Sequence, residues 1–449
     1  MKDLTKGPIT GHLIALAAPM AIGMLVQTLY LMVDLYFVAR LGGAALAGVG
    51  AAANFAFAVL AMTQMLGVGT VALISHAVGA GDREGANLVF NQSLVLAALC
   101  ALIALVGGLV LARPYMLALA ANAETVEAGT TYLRYYVPGL ALQFAMIAMG
   151  SALRGTGIAK PTMVVQLATV VINIVLAPVL IAGIGTGRPL GVAGAGLAST
   201  LAIVAGTALL IVYFARLEKY VEFRSSEWRP RLATWKRILN IGLPSGGEFA
   251  LMFVYMAIIY AVIRDFGAAA QAGYGVGQRL MQAIFLPAMA IAFAVTPVAG
   301  QNFGARDAER VRRTFADGAL LSSALMASLT LLCQWRATTL IGYFTDDPAI
   351  LAVGRVFLQL ISWNFVASGL VFVCNGIFQG LGNTWPSILS SATRLLTFAL
   401  PAIWWSRQRG FRIEDVWYLS IATVTLQAVF SLLLARRELK LRLAFASPG

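Results

Sequence analysis

Gln27, Tyr30 and Asp34 fall at i, i+3 and i+7 of an otherwise apolar run, so on a helix they share one face. An amide, a phenol and a carboxyl on one stripe are costly against lipid and fit a wet cavity better. Desolvation favours the neutral form of a carboxyl, which suits Asp34 to carry a proton. A carboxylate with neighbouring oxygens could instead hold Na⁺. The bland alternative is an interfacial aspartate bonded to nearby backbone. Asn173 stands alone among Val170, Val171, Ile172, Ile174 and Val175, either as a further ligand or as a bond between helices. A second ionic set, Glu248, Arg279 and Arg394, lies in later apolar runs. There a buried ion pair from Glu248 to one arginine is the expected arrangement, and a substrate or second ion site is the alternative. Pro19 and Pro244 each interrupt an apolar run; inside a helix, each frees a carbonyl and makes a natural bending point.

Other chemistry finds little support. His12 and His76 are the sole histidines, too few for a zinc site or a nucleophile–base pair. Cys100, Cys333 and Cys374 are scattered without metal or disulfide spacing. Gly155-Thr156-Gly157-Ile158-Ala159-Lys160 is no phosphate loop, since no glycine precedes the lysine and Pro161 follows it. Gly191 to Gly196 and Gly273 to Gly277 start apolar spans with no strand before them, which suits close helix packing. No enzyme and no cofactor is therefore expected. Uphill work would draw on an ion gradient, with H⁺ or Na⁺ as the coupling ion.

The elements that must hold these groups are membrane helices. Hydrophobic residues make up 60% of the chain and charged residues 11%, against roughly 25% charged in a soluble domain. Apolar stretches long enough to cross a bilayer are expected at 13–38, 46–77, 87–112, 124–152, 159–184, 190–215, 236–262, 268–300, 311–335, 348–378, 384–406 and 413–435. Arg134 makes the fourth the weakest. The expected fold is all-α, with twelve transmembrane helices.

These fall into two halves. Pro19 and Pro244, Gly42 and Gly267, Asp82 and Asp307, Gly157 and Gly382, and Pro161 and Pro386 are all separated by 225 residues. Six spans per half start both halves on the same side, so the repeats are parallel. The domains read as an N-terminal six-helix lobe at 1–215, a cytoplasmic amphipathic linker at 216–235, and a C-terminal six-helix lobe with a basic tail at 236–449. The linker, with Trp228 and Trp235, is expected on the inner leaflet. Lys and Arg favour the side bearing both termini by two to one, which places both termini in the cytoplasm. The net charge of +13 then needs no nucleic acid, only anionic headgroups. The first apolar stretch is too long for a cleavable signal and leads straight into the repeat. A multi-pass protein of a bacterial-type inner membrane is expected. Parallel repeats already supply a pseudo-symmetric pair, so a monomer suffices.

Several segments resemble the multidrug and toxic compound extrusion (MATE) transporters. Pro19 followed by Val33-Asp34-Leu35-Tyr36-Phe37-Val38-Ala39-Arg40-Leu41-Gly42 is similar to their first-helix signature. Val78-Gly79-Ala80-Gly81-Asp82, and Ala152-Leu153-Arg154-Gly155-Thr156-Gly157 with Pro161, resemble their loops after spans 2 and 4. Gly300-Gln301-Asn302-Phe303-Gly304-Ala305 and Phe378-Gln379-Gly380-Leu381-Gly382-Asn383-Thr384 resemble the second-half partners. The resemblance implies a V-shaped pair of six-helix lobes that exports amphipathic organic compounds, cationic drugs above all, in exchange for H⁺ or Na⁺. It implies a coupling ion at Asp34, with Asn173 and Thr200, and Na⁺ at Asp34 and Asn173 as the metal form. Gln27, Tyr30, Tyr36, Glu248, Arg279 and Arg394 would line the cavities. Many relatives carry an Asp where this chain has Ala177, and one carboxylate in place of two tilts the reading toward protons. A flippase for a lipid-linked precursor and an exporter of one specific metabolite are the alternatives.

Overall fold

The computed structural model describes residues 1–119 and 122–446, and the side chains of all of these except 29–35 and 446. Among the described residues every regular element is helical: α1 (Ile9–Ala39), α2 (Gly43–Gly79), α3 (Arg83–Leu119), α4 (Ala123–Gly155), α5 (Lys160–Ala182), α6 (Gly191–Arg216), α7 (Leu232–Ile263), α8 (Ala268–Gly304), α9 (Ala308–Gly342), α10 (Pro348–Ile361), α11 (Phe365–Gly380), α12 (Trp385–Trp405) and α13 (Ile413–Arg442). Helices α10 and α11 form one span, so twelve membrane-length spans result, as the hydropathy pattern predicts. Arg134 does not interrupt α4; it stands on an exposed face of an unbroken helix.

The break between α10 and α11 is a 3₁₀ turn at Ser362–Asn364. Its freed backbone groups cannot be left bare inside a membrane. Helix α9 meets them: Thr330 donates to the Ser362 carbonyl at 2.8 Å, and Gln334 donates to the Gln359 carbonyl at 2.7 Å and the Ser362 hydroxyl at 2.9 Å.

The repeat extends to backbone conformation. Gly42 (φ 113) and Gly267 (φ 91) open α2 and α8. Gly81 (φ 72) has Arg306 (φ 59) as its counterpart, a rare non-glycine in the left-handed region. Architecture outweighs residue preference at that turn.

The chain divides into two compact units, at boundaries other than the expected 1–215, 216–235 and 236–449. Unit 1 comprises Met1–Asp3 and Ile22–Gly242; unit 2 comprises Leu4–Ala21 and Leu243–Gly449. Helices α1 and α7 each change unit within three residues of their prolines, Pro19 and Pro244. In unit 1, α2 packs on α4 and α3, and α4 on α6. The unit 1 core includes Phe90 stacked on Phe214 at 4.9 Å. In unit 2, α8 packs on α11 and α9, and α12 on α13. There Tyr274 stacks on Trp417 at 5.6 Å.

The 216–235 segment belongs to unit 1, fastened to the start of α3 by three fully buried carboxamides, Asn87, Asn91 and Gln92. Asn87 donates to the Tyr220 carbonyl (3.1 Å) and accepts from the Glu222 amide (2.8 Å). Asn91 donates to the Glu222 carbonyl (3.0 Å), and its Oδ1 accepts from the Arg224 amide (2.9 Å) and the Trp228 indole (3.0 Å). Gln92 bonds the Arg229 carbonyl and the Arg231 amide, both at 2.8 Å. Outside the carboxamides, Arg224 reaches Glu84 at 2.6 Å and Glu222 at 2.8 Å. Their hydrogen bonds raise its already high pKa. Burial of the linker's polar backbone is satisfied by side chains in place of a regular ladder.

Asn91→Ala is therefore expected to strip the bonds to Glu222, Arg224, Glu227 and Trp228 from the strap, at a local cost of about 1–3 kcal/mol. Hydrogen exchange at residues 220–230 should quicken while that of α4 stays unchanged. Unchanged exchange across the strap would show that Asn91 does not hold it.

Candidate functional site

In unit 1 the expected site draws on α1, α5 and α6. Tyr30 and Asp34 lie outside the described side chains. The α1 backbone that carries them is continuous helix. Asn173, on α5, is fully buried; its Nδ2 donates to the Ser199 hydroxyl of α6 at 3.4 Å, and its Oδ1 has no partner. A buried carbonyl oxygen left unmatched is costly. Ala177, four residues on, is also fully buried and offers no oxygen there.

Thr200 does not join Asn173. Its hydroxyl donates to the Tyr135 carbonyl at 2.5 Å and accepts from the Gly139 amide at 3.2 Å, tying α6 to α4. Ser199, its neighbour in sequence, is the α6 residue that meets Asn173. Gln27 is exposed and accepts at Oε1 from Gln166 of α5 at 3.0 Å. Gln166 lies seven residues before Asn173, on the same face of α5, and that spacing could have revealed it. Gly23 makes room for it: a Cβ there would stand 2.9 Å from the Gln166 amide oxygen. Tyr36 is 55% exposed and is paired with Arg40, whose guanidinium lies 4.5 Å from the ring centroid and donates to the phenol oxygen.

In unit 2 the expected ion pair is absent among the described residues. Glu248 accepts from Asn375 of α11 at 3.5 Å and has no basic partner. Arg279 is exposed on α8 without an ion pair. Arg394 of α12 stacks on Tyr255 of α7, its guanidinium carbon 4.3 Å from the ring centroid. The geometry explains the absent pair. Tyr255 follows Glu248 by seven residues, so Arg394 engages α7 about 10 Å along the axis from the carboxyl. Asn375 and Tyr255 are functional-site candidates that reading by charge alone misses. For Tyr255 the repeat carries the signal, because it is the counterpart of Tyr30 at the 225 offset; Asn375, opposite Gly150, has none. The described residues contain no cluster of three metal-ligating acids, histidines or cysteines.

A family model described as MatE matches residues 19–179 and 244–405. Among curated relatives, a probable multidrug resistance protein NorM of Thermotoga maritima is 27% identical, over 88% of this chain and 84% of that one. A multidrug export protein MepA of Staphylococcus haemolyticus is 26% identical over 81% of this chain and 80% of the relative. An FAD transporter of Shewanella oneidensis is 24% identical over 89% of each. Among solved structures, the fold is similar to one described as the outward-facing conformation of a multidrug resistance MATE family transporter of the MOP superfamily. It is 25% identical, covers 98% of this chain and 99% of that one, and has a TM-score of 0.92. The two family matches begin at Pro19 and Pro244, the positions at which the sequence repeat begins, and they take in both ionic sets. The chain is thus a multi-pass membrane protein of the MatE family of multidrug-efflux (MATE) transporters.

Proposed function

We propose that this transporter is a secondary antiporter that exports amphipathic organic compounds in exchange for an ion taken up at Asp34. The observation that carries the reading is the orphaned Oδ1 of Asn173, a buried acceptor within the membrane-spanning part of unit 1. A carboxyl that takes up a proton becomes a hydrogen-bond donor, the kind of partner this oxygen lacks. Sodium fits less well. Hard cations take several oxygens, and here Ala177 provides none while the Thr200 hydroxyl is engaged with α4. Neutralising Asp34 removes a desolvation penalty, and the helix is free to bend at Pro19; release of the ion on the other side resets it. Pro244 is the matching bending point of the second half. The ion drives the cycle only by binding the two states with different affinity. Both termini are read as cytoplasmic, in an inner membrane, with a monomer as the working unit.

The test is dye efflux from vesicles containing the purified chain under an imposed pH gradient or an imposed Na⁺ gradient. Efflux is expected to follow the pH gradient, by severalfold over the ungradiented rate. Efflux that ignores both gradients contradicts antiport, and efflux that follows Na⁺ alone transfers the site to sodium. A second reading, export of one specific metabolite, gains support from the similarity to the FAD transporter.

A further inference from the structure

Unit 2 carries a basic group beside the repeat counterpart of Tyr30, but not at the repeat position of the acid. Tyr255 occupies the position of Tyr30, but the position of Asp34 is taken by Ile259, which is 4% exposed. The ionic group comes from another helix. Arg394 stands at the middle of the 21-residue α12, where unit 1 has Thr169. Its guanidinium lies over the Tyr255 ring, and that ring packs against Phe398 with centroids 4.7 Å apart. Its Nε is buried with no acceptor. No acid of the described residues pairs with it, and the nearest acid along α7, Glu248, is held by neutral Asn375. The Tyr255 hydroxyl continues to Ser420 at 3.2 Å, Ser420 accepts from Asn364 at 3.4 Å, and the Asn364 Oδ1 is again orphaned.

A guanidinium at the centre of a membrane helix is costly, and one cation–π contact returns less than that cost. A structural arginine would be matched by a carboxylate or by carbonyl oxygens. Arg394 is only half-buried, so its terminal nitrogens remain open to a ligand while the aromatic face stays beside them. We propose that Arg394, backed by Tyr255 and Phe398, is a recognition site for the acidic group of an aromatic substrate. This deepens the transport reading and rests on it: the substrates would include aromatic carboxylates, sulfonates or phosphates, where the resemblance pointed to cations. Planar, forked donors suit such groups, and ring stacking accommodates the aromatic part.

The test uses the full chain in phosphatidylcholine nanodiscs and two probes of matched size, naphthalene-1-sulfonate and 1-naphthyltrimethylammonium. The wild type is expected to bind the sulfonate at least about tenfold more tightly than the ammonium. Arg394→Gln should lose about tenfold in sulfonate affinity and leave the ammonium unchanged, and Arg394→Lys should retain a part of the preference. The melting temperature of Arg394→Gln should stay level or rise, since an unpaired charge has been removed. Equal sulfonate binding by wild type and Arg394→Gln overturns the site. So does a fall in melting temperature with the preference retained, which marks a merely structural arginine. Displacement of the sulfonate by added phosphatidylglycerol also overturns it, in favour of a lipid headgroup. If Arg394→Gln does not fold, a diminished preference in a monodisperse Arg394→Lys protein supports the site, and an undiminished preference there refutes it. No gradient is present in this assay. Sulfonate preference without gradient-driven efflux therefore refutes antiport alone, and gradient-driven efflux with no preference refutes this site alone.

Discussion

Asp34→Asn is expected to abolish gradient-driven efflux, by two orders of magnitude or more, while leaving membrane insertion and folding intact. An ionisable side chain on a membrane-spanning helix is costly unless it does something that neutral residues cannot. Asn keeps the size and hydrogen-bonding reach of Asp but cannot take up a proton or offer a negative charge. If the cycle needs the ion-loaded and ion-free states to differ in energy, Asn freezes that difference. The variant should still exchange substrate passively down its own gradient, because that exchange needs no ion. Purified protein in vesicles, with internal and external pH set separately, reads both rates. Full-rate uphill export by the Asn variant removes Asp34 from the coupling site, and loss of passive exchange as well would mark a folding defect in place of a coupling one. Asp34→Glu gives the graded control: the acid is kept and displaced by one methylene, so partial coupling is expected.

Much of the architecture is readable from the chain because lipid enforces it. Helices are the only open spanning solution, so length and apolarity place the twelve spans. The 225-residue offset is readable because matched loops need matched turn geometry, down to Gly81 and Arg306 sharing a left-handed backbone. Reading fails where azimuth and depth decide. Glu248 and Arg394 invite pairing by sign, yet rotation and rise along α7 put them on different partners, Asn375 and Tyr255. Thr200 and Ser199 differ by one residue, which is about 100° of rotation, and that choice sends one to α4 and the other to Asn173. The break at Ser362–Asn364 is invisible for a different reason: no Pro or Gly marks it, and the groups that make it tolerable sit on α9. The strap on α3 was available as Asn87, Asn91 and Gln92 at i, i+4 and i+5, but amides at a span's end read as interfacial unless a partner is known.

The second large effect concerns packing. Gly242→Val is expected to cost about 3 kcal/mol or more, beyond the usual toll of an overfilled core. A Cβ at Gly242 of α7 would stand closer than 3.0 Å to the Met65 carbonyl oxygen of α2. The relation is reciprocal, since a Cβ at Gly69 of α2 would meet the Ile238 carbonyl at similarly forbidden range. Gly242 and Ile238 are four apart, as are Gly69 and Met65, so each helix offers a glycine to the other's backbone one turn away. Backbone atoms cannot swing aside as a side chain can, so the added methyls must separate α2 from the first part of α7. That shift would reach the strap, which feeds directly into α7. Gly50→Ala on the same α2 is the control. It is exposed, nothing stands within 4 Å of its would-be Cβ, and loss of a mid-helix glycine should stabilise by up to about 1 kcal/mol. Thermal unfolding of the two variants in one detergent should therefore move in opposite directions. If both leave it unchanged, the close crossing of α2 and α7 is not what holds unit 1 together, and the glycine pair serves motion there in place of stability.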